Sequence, residues 1–335
     1  MPLPPIVFPY AVNPDRERVD AATIAWGKRY GMDGDPTTWK RFLGSAPGRF
    51  AAYTYPEARG EDLELASDMF GWFFLFDEVF DGPLRGRPQE AALFIHRMLA
   101  VLDLRTRLPE HLPPVMAAFR EIWEKSKQGA MSYHWQMRAA THWAQYMWGN
   151  LAEDLDRSHH PPVSLDAYLT MRRDTIGYRP SLDMVERTSG FEVPAQVWCQ
   201  TSARRLYDIT TDIVILTNDV ASLEKELDRG DTVNSVLLTM DSLGTSKAKA
   251  LEAINSAIIS LADQFHETAA QVRELGDRLG LSDDERDGLE RWIGGQQNWL
   301  GGHAAWYPEA NRYVVGAEPV HPNDAYVRTL MYTNP

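Results

Sequence analysis

Two groups of oxygen-bearing side chains stand out by their spacing. Asp77 and Asp81, in FFLFDEVFDGP, are four residues apart with Glu78 between them. On a helix they share a face, and Glu78 sits about a quarter-turn round. Carboxylates paired at a helix end form a hard-oxygen site suited to Mg²⁺, which keeps waters and shares phosphate oxygens. Asn218, Ser222 and Glu226, in NDVASLEKE, follow i, i+4, i+8, so three oxygens line one face over two turns. Oxygens converging in this way can chelate a second hard cation. Lys225 projects away from that row and can reach an anion beside the metal. Alone, the first motif also reads as an acidic helix end before a turn, and the second as a polar stripe facing solvent. Together they are harder to dismiss. Asn-Asp-x-x-Ser-x-x-Lys-Glu fixes five positions, and at about one-twentieth usage each a chance match is well under one in a million.

The elements that must position these groups are helices. MFGWFFLFDEVFDGP, residues 69–83, has no polar face before its acids, so it reads as a helix buried on all sides. Asp81-Gly82-Pro83 stops it. The acids then occupy the last turn, where the macrodipole disfavours each by roughly 0.3–1 kcal/mol and burial adds to the cost. A cation is expected beside them that the sequence itself does not supply. Elsewhere, breakers such as GMDGDP (31–36), GPLRGRP (82–88), SHHPP (158–162) and SGFEVP (189–194) bound segments with helical periodicity. In residues 132–158, Trp135, Ala139, Trp143, Met147 and Leu151 recur every four. Residues 192–229 read as one long helical stretch with Pro194 in the first-turn position. Only RYVVG (312–316) has strand character. A single all-α domain of about ten helices over residues 1–315 is expected, followed by a partly mobile tail from 316 to 335.

Composition narrows the partners. The 335 residues include 11 Trp, 12 Phe and 13 Tyr, enough for a large core. A net charge of −13 argues against nucleic acid or an anionic membrane surface, so an anionic ligand needs a local cluster of cations and metal. The single cysteine, Cys199, rules out an internal disulfide framework or a multi-cysteine metal site. MPLPPIVFPY lacks a basic n-region and a continuous apolar h-region, and no apolar run approaches 18 residues. A cytoplasmic protein with no stable membrane association is expected.

FFLFDEVFDGP with NDVASLEKE resembles the bacterial class I terpene synthases, in particular the pentalenene synthase-like sesquiterpene cyclases. The likeness runs from NPDRERVD near the N-terminus to Tyr313. Arg172, in MRRDTIGYRP, lies before Asn218 at the spacing of the family's pyrophosphate-sensing arginine, and Thr175 and Ile176 fall at the linker and effector positions. Arg312-Tyr313 matches the C-terminal Arg-Tyr pair, and Trp306 an aromatic wall of the pocket. Two positions depart from the pattern: Glu78 replaces the usual second aspartate, and Thr175 stands where many relatives have Asp.

The resemblance implies a helical bundle with the active site between central helices, and three Mg²⁺ ions shared between Asp77, Asp81 and the Asn218/Ser222/Glu226 row. It implies diphosphate binding by Arg172, Lys225, Arg312 and Tyr313, although each cationic residue could instead form a surface ion pair. The substrate would be a prenyl diphosphate, with C15 farnesyl diphosphate favoured over C20 geranylgeranyl diphosphate; a homodimer is the family's suggestion for assembly. Phe73 and Phe74 immediately precede the metal end, and with Trp306 their ring faces can stabilise a carbocation by roughly 0.5–2 kcal/mol each. Trp72 and Phe76 read as ordinary core. A chain-elongating prenyltransferase would carry a second aspartate-rich motif in place of NDVASLEKE. A di-iron bundle would need paired Glu-x-x-His, yet the one instance, Glu318 to His321, is interrupted by Pro319. A non-catalytic helical binding protein would leave the acids unexplained.

Overall fold

The computed structural model describes residues 2–103, 106–129, 131–159, 164–230, 233–316 and 321–332. Among them are sixteen α-helices and no strand. In chain order these are α1 (Arg16–Arg29), α2 (Pro36–Gly44), α3 (Pro47–Thr54), α4 (Glu61–Asp81), α5 (Pro88–Leu99), α6 (Pro114–Lys127), α7 (Tyr133–His159) and α8 (Leu165–Thr175). Then follow α9 (Tyr178–Ser189), α10 (Ala195–Trp198), α11 (Thr201–Arg229), α12 (Ser235–Leu243), α13 (Lys247–Arg273), α14 (Leu275–Arg278), α15 (Asp283–Trp306) and α16 (Asp324–Met331). The all-α expectation holds. The count exceeds ten because several segments between breakers divide into short helices.

Helix α4 is the central element, packed against α1, α3, α6 and α9. Glu61, Asp62 and Glu64 lie in its first turn, where the macrodipole favours them. From Leu63 to Phe80 nearly every side chain is buried, on all sides as the apolar run predicts. On α7 the four-residue row Trp135, Ala139, Trp143, Met147 and Leu151 faces the core. Trp72 and Phe76 are core, and Trp72 Nε1 donates to the Val115 carbonyl at 2.9 Å.

Three local expectations change. Residues 192–229 are not one helix: Pro194 caps the short α10, and extended Gln200 (φ −83°, ψ 144°) caps α11. Trp198 lies under the Arg138 guanidinium (4.5 Å) and edge-on to Trp292, contacts that hold α10 as a separate turn. RYVVG forms no strand; Asn311–Tyr313 is a 3₁₀ turn with Arg312 and Tyr313 buried. In the stretch expected to be a partly mobile tail, residues 321–332 carry α16, which buries Val327, Leu330 and Met331 against α4 and α6. Residues 317–320 and 333–335 of that stretch lie outside the described residues.

Close backbone approach brings α3 and α15 together. A Cβ at Gly302 would lie 2.0 Å from the Tyr53 carbonyl oxygen, so only glycine permits the contact. It sets Phe50 of α3 against Trp306 of α15, ring centroids 4.2 Å apart.

The structure also explains Glu78. It is buried and paired in two places with the equally buried Arg41 of α2: Nε with Oε2, and Nη2 with Oε1 at 2.8 Å. Its carboxylate thus fastens α2 to α4. Arg41→Ala is expected to reduce unfolding free energy by roughly 3–5 kcal/mol, because it strips a buried charge of its main partner. Arg41→Met combined with Glu78→Leu should recover most of that loss, as read by urea denaturation.

Candidate active site

One cavity collects every residue singled out for chemistry. Its walls come from α4, α7, the junction of α8 and α9, α11, α15 and the 3₁₀ turn at Asn311–Tyr313. Asp77 and Asp81 enter from the last turn of α4, and Asn218, Ser222, Lys225 and Glu226 from α11. Arg172, Thr175 and Ile176 come from the end of α8, Arg312 and Tyr313 from the 3₁₀ turn, Phe73 and Phe74 from α4, and Trp306 from α15.

The cation beside the α4 acids was expected from outside the chain, arriving with the substrate; the chain itself already supplies arginines there from distant sequence. Arg312 Nη2 lies 3.1 Å from Asp77 Oδ2, and its Nη1 lies 3.8 Å from Glu78 Oε1. Arg229 Nη1 lies 3.0 Å from Asp81 Oδ2. Burial pushes the Asp77 pKa up to about 6, against the pull of Arg312 and with the help of Asp81 and Glu78. Its side chain keeps 36% exposure because it faces the cavity, so water there tempers the upward push. Arg172 is fixed from two sides: Nη1 donates to Glu153 Oε2 at 3.0 Å and to Thr175 Oγ1 at 2.8 Å. Burial opposes its charge, but Glu153, Tyr168, Asp219 and Glu226 outweigh it and hold the pKa well above the ordinary value. Thr175, which departs from the family pattern, therefore has Arg172 as its partner. Lys225 Nζ sits 5.6 Å from the Tyr313 ring centre, and the Arg312 guanidinium 4.9 Å from that of Phe74.

The α11 row fits a hard divalent cation. Ser222 Oγ is buried and has no hydrogen-bond partner, an arrangement that is costly unless something in the cavity uses it. Asn218 Nδ2 donates to Tyr307 Oη at 3.1 Å and lies 3.5 Å from Tyr313 Oη. Tyr307 Oη is in turn 2.7 Å from His303 Nε2. Burial pushes the His303 pKa down to about 3, so the imidazole is neutral. No cluster of three or more His, Cys, Asp or Glu side chains with metal-holding geometry occurs among the described residues. The row's donors are an amide, a hydroxyl and one carboxylate, all hard oxygens.

The rest of the cavity is aromatic. Phe50 is stacked between Phe70 (4.0 Å) and Trp306 (4.2 Å), and Phe74 is stacked on Trp306 at 6.3 Å. Phe73 meets Tyr146 edge to face at 4.8 Å. Gly177, in the left-handed region (φ +74°), separates α8 from α9 directly over the Phe73 ring.

Sequence reasoning missed several wall residues. Glu153 and Asp154 lie in the polar end of α7, where acids at i+3 and i+4 from Asn150 were the available signal. Phe50, Tyr146, Trp299 and His303 carry no distinguishing local pattern and reach the cavity through helix packing alone.

Residues 68–264 match the model of terpene synthase family 2, C-terminal metal binding. Pentalenene synthase from Streptomyces arenae is 36% identical over 288 residues, 86% of this chain and 85% of that protein. The chain belongs to this family. A (−)-β-caryophyllene synthase from Saccharothrix espanaensis, described as (2E,6E)-farnesyl diphosphate cyclizing, is 36% identical over 86% of this chain and 81% of its own length. The crystal structure of germacradien-4-ol synthase from Streptomyces citricolor superimposes with a TM-score of 0.80 at 30% identity, covering 92% of this chain and 98% of that one. As a terpene synthase of this family, the protein acts on a prenyl diphosphate and uses a divalent metal. No helix among the described residues is long and apolar enough to cross a membrane.

Gly177→Ala is expected to destabilise the protein by more than about 1 kcal/mol, since a Cβ is strained at positive φ. That Cβ would lie 3.5 Å from the Phe73 ring, an ordinary contact, so the cost comes from the backbone conformation. Urea denaturation of the purified variant checks the loss.

Proposed function

We propose that this terpene synthase is a Mg²⁺-dependent class I sesquiterpene cyclase, a carbon–oxygen lyase. It ionises farnesyl diphosphate, cyclises the carbocation and releases diphosphate. The observation that carries this reading is the division of one cavity into a half of oxygen donors and cations and a half of aromatic rings. The farnesyl substrate draws support from the caryophyllene synthase relative and its stated substrate.

Asp77, with Asp81, and the Asn218/Ser222/Glu226 row would hold three Mg²⁺ ions, whose charge when bound offsets that developing on the leaving diphosphate. Arg172, Lys225, Arg312 and Tyr313, all on the wall of this cavity, would bind diphosphate oxygens. Arg172 is already oriented by Glu153 and Thr175, so little reorganisation is needed when charge develops. Ile176 caps α8 at the helix break and lines the cavity. Phe73, Phe74 and Trp306 keep nucleophilic water away from the cation and offer ring faces to it. His303, neutral and tied to Tyr307, adds no charge to that half.

Asp77 should matter more than Asp81. Both line the cavity and each is paired with an arginine, but Asp81 is the terminal residue of α4 beside Gly82, whereas Asp77 lies one turn inside. Asp77→Asn is expected to reduce turnover to near background and Asp81→Asn to lower it only partly. Equal, total loss in both variants would contradict the ranking.

Substrate length is tested by parallel incubation with C10, C15 and C20 diphosphates and Mg²⁺, with products read by gas chromatography and mass spectrometry. The expected result is a cyclic hydrocarbon or alcohol from C15. The diphosphate clamp touches only the head group, so discrimination rests on the cavity floor. There each fitted CH₂ gains about 0.8 kcal/mol, and a surplus one clashes. Cyclisation of C20 to one main product, with only linear alcohols from C15, would make the protein a diterpene synthase.

A further inference from the structure

Glu226 is held by a residue that does not line the cavity. Asn234 is fully buried at the N-cap of α12. Its Oδ1 accepts the Val236 N–H at 2.8 Å. Only the oxygen of the amide can accept, so this bond sets the orientation of the whole group. Both N–H bonds of Nδ2 are thereby turned toward α11. They donate to the Asp219 carbonyl at 3.0 Å and to Glu226 Oε2 at 2.9 Å. The next residue reinforces the placement: the Ser235 N–H donates to Asp219 Oδ2 at 2.9 Å, and Asp219 Oδ1 accepts from Tyr168 Oη at 2.9 Å. The start of α12 is therefore pinned to α11.

We propose that Asn234 is a positioning residue that holds the Glu226 carboxylate in one rotamer and leaves its second oxygen, Oε1, for a divalent cation. This rests on the reading that the α11 row binds Mg²⁺. A glutamate near the end of a helix otherwise samples several rotamers, and binding a metal would have to offset that lost entropy. The bond from Nδ2 to a carboxylate is charge-assisted and imposes the order before the cation arrives. Because the amide is neutral, it orients the carboxylate without competing with the cation for its charge. Partners that orient metal ligands in this way are typically worth about 10–100-fold in metal affinity.

The test measures Mn²⁺ binding to the full-length protein by electron paramagnetic resonance, in the presence of inorganic pyrophosphate and without turnover. Asn234→Ser keeps an N-capping oxygen for Val236 but is too short to reach Glu226. Asn234→Asp keeps the cap and replaces the donor with a like charge. Both variants should bind Mn²⁺ about 10–100-fold more weakly; each also leaves the Asp219 carbonyl without its Nδ2 donor, so melting temperatures fall and binding is measured well below them. In steady state the Mg²⁺ requirement should rise by more than kcat falls. Added to Glu226→Gln, Asn234→Ser should cost little further affinity, since both act through one carboxylate. A lowered melting temperature with unchanged Mn²⁺ affinity would make Asn234 a helix cap only and overturn the proposal. Weakened binding in Glu226→Gln but not in the Asn234 variants would overturn it too, while sparing the metal reading. Undiminished binding in Glu226→Gln itself would refute the metal reading of the row, and this proposal with it.

Discussion

Three carboxylates lie at the negative end of a buried helix, and each is tied to an arginine from a different part of the chain. Arg41 of α2 takes Glu78, Arg312 of the C-terminal 3₁₀ turn takes Asp77, and Arg229 at the end of α11 takes Asp81. Placed there without compensation, these charges would oppose both the helix dipole and burial. The pairing draws segments from both ends of the chain and from its middle to one point. The cavity forms where they meet.

The three pairs differ in what they leave available. Glu78 is sealed between Arg41 and the core, so it acts as a fastener. Asp77 and Asp81 keep a face on the cavity, and their arginine partners line it as well. An anionic ligand that arrives with cations can therefore engage both members of each pair. The net charge of −13 makes such local pairing necessary, because the protein as a whole repels an anion.

The aromatic half depends on backbone geometry as much as on ring chemistry. Gly302 lets α15 approach the Tyr53 carbonyl, which stacks Phe50 between Phe70 and Trp306. With both faces covered, Phe50 can shape the floor but offers only an edge to a cation. Phe74 already carries the Arg312 guanidinium over one face of its ring, so a cation in the cavity would share that ring with the arginine. Phe73, edge-on to Tyr146 and under Gly177, is held between the break that ends α8 and the wall of α7.

Much of this was legible in the chain itself. The all-α class followed from four-residue apolar periodicity, and the buried α4 from a run with no polar face. The grouping of Asp77 with Asn218, Ser222 and Glu226 followed from helical spacing together with the family resemblance. These are local properties, set by 3.6 residues per turn and by where the breakers fall. Pairing across the chain is a different matter. That Glu78 belongs to Arg41, that Arg312 sits on Asp77, and that Asn234 holds Glu226 depend on which helix faces meet, and no local pattern encodes it. For the same reason Phe50 and His303 escaped notice, and residues 192–229 looked like one helix although the contacts of Trp198 divide it. The helices and their oxygen-bearing faces are thus local features that short stretches of chain specify. Which charge answers which is settled by packing, because the low dielectric that makes each pairing obligatory exists only once the helices have come together.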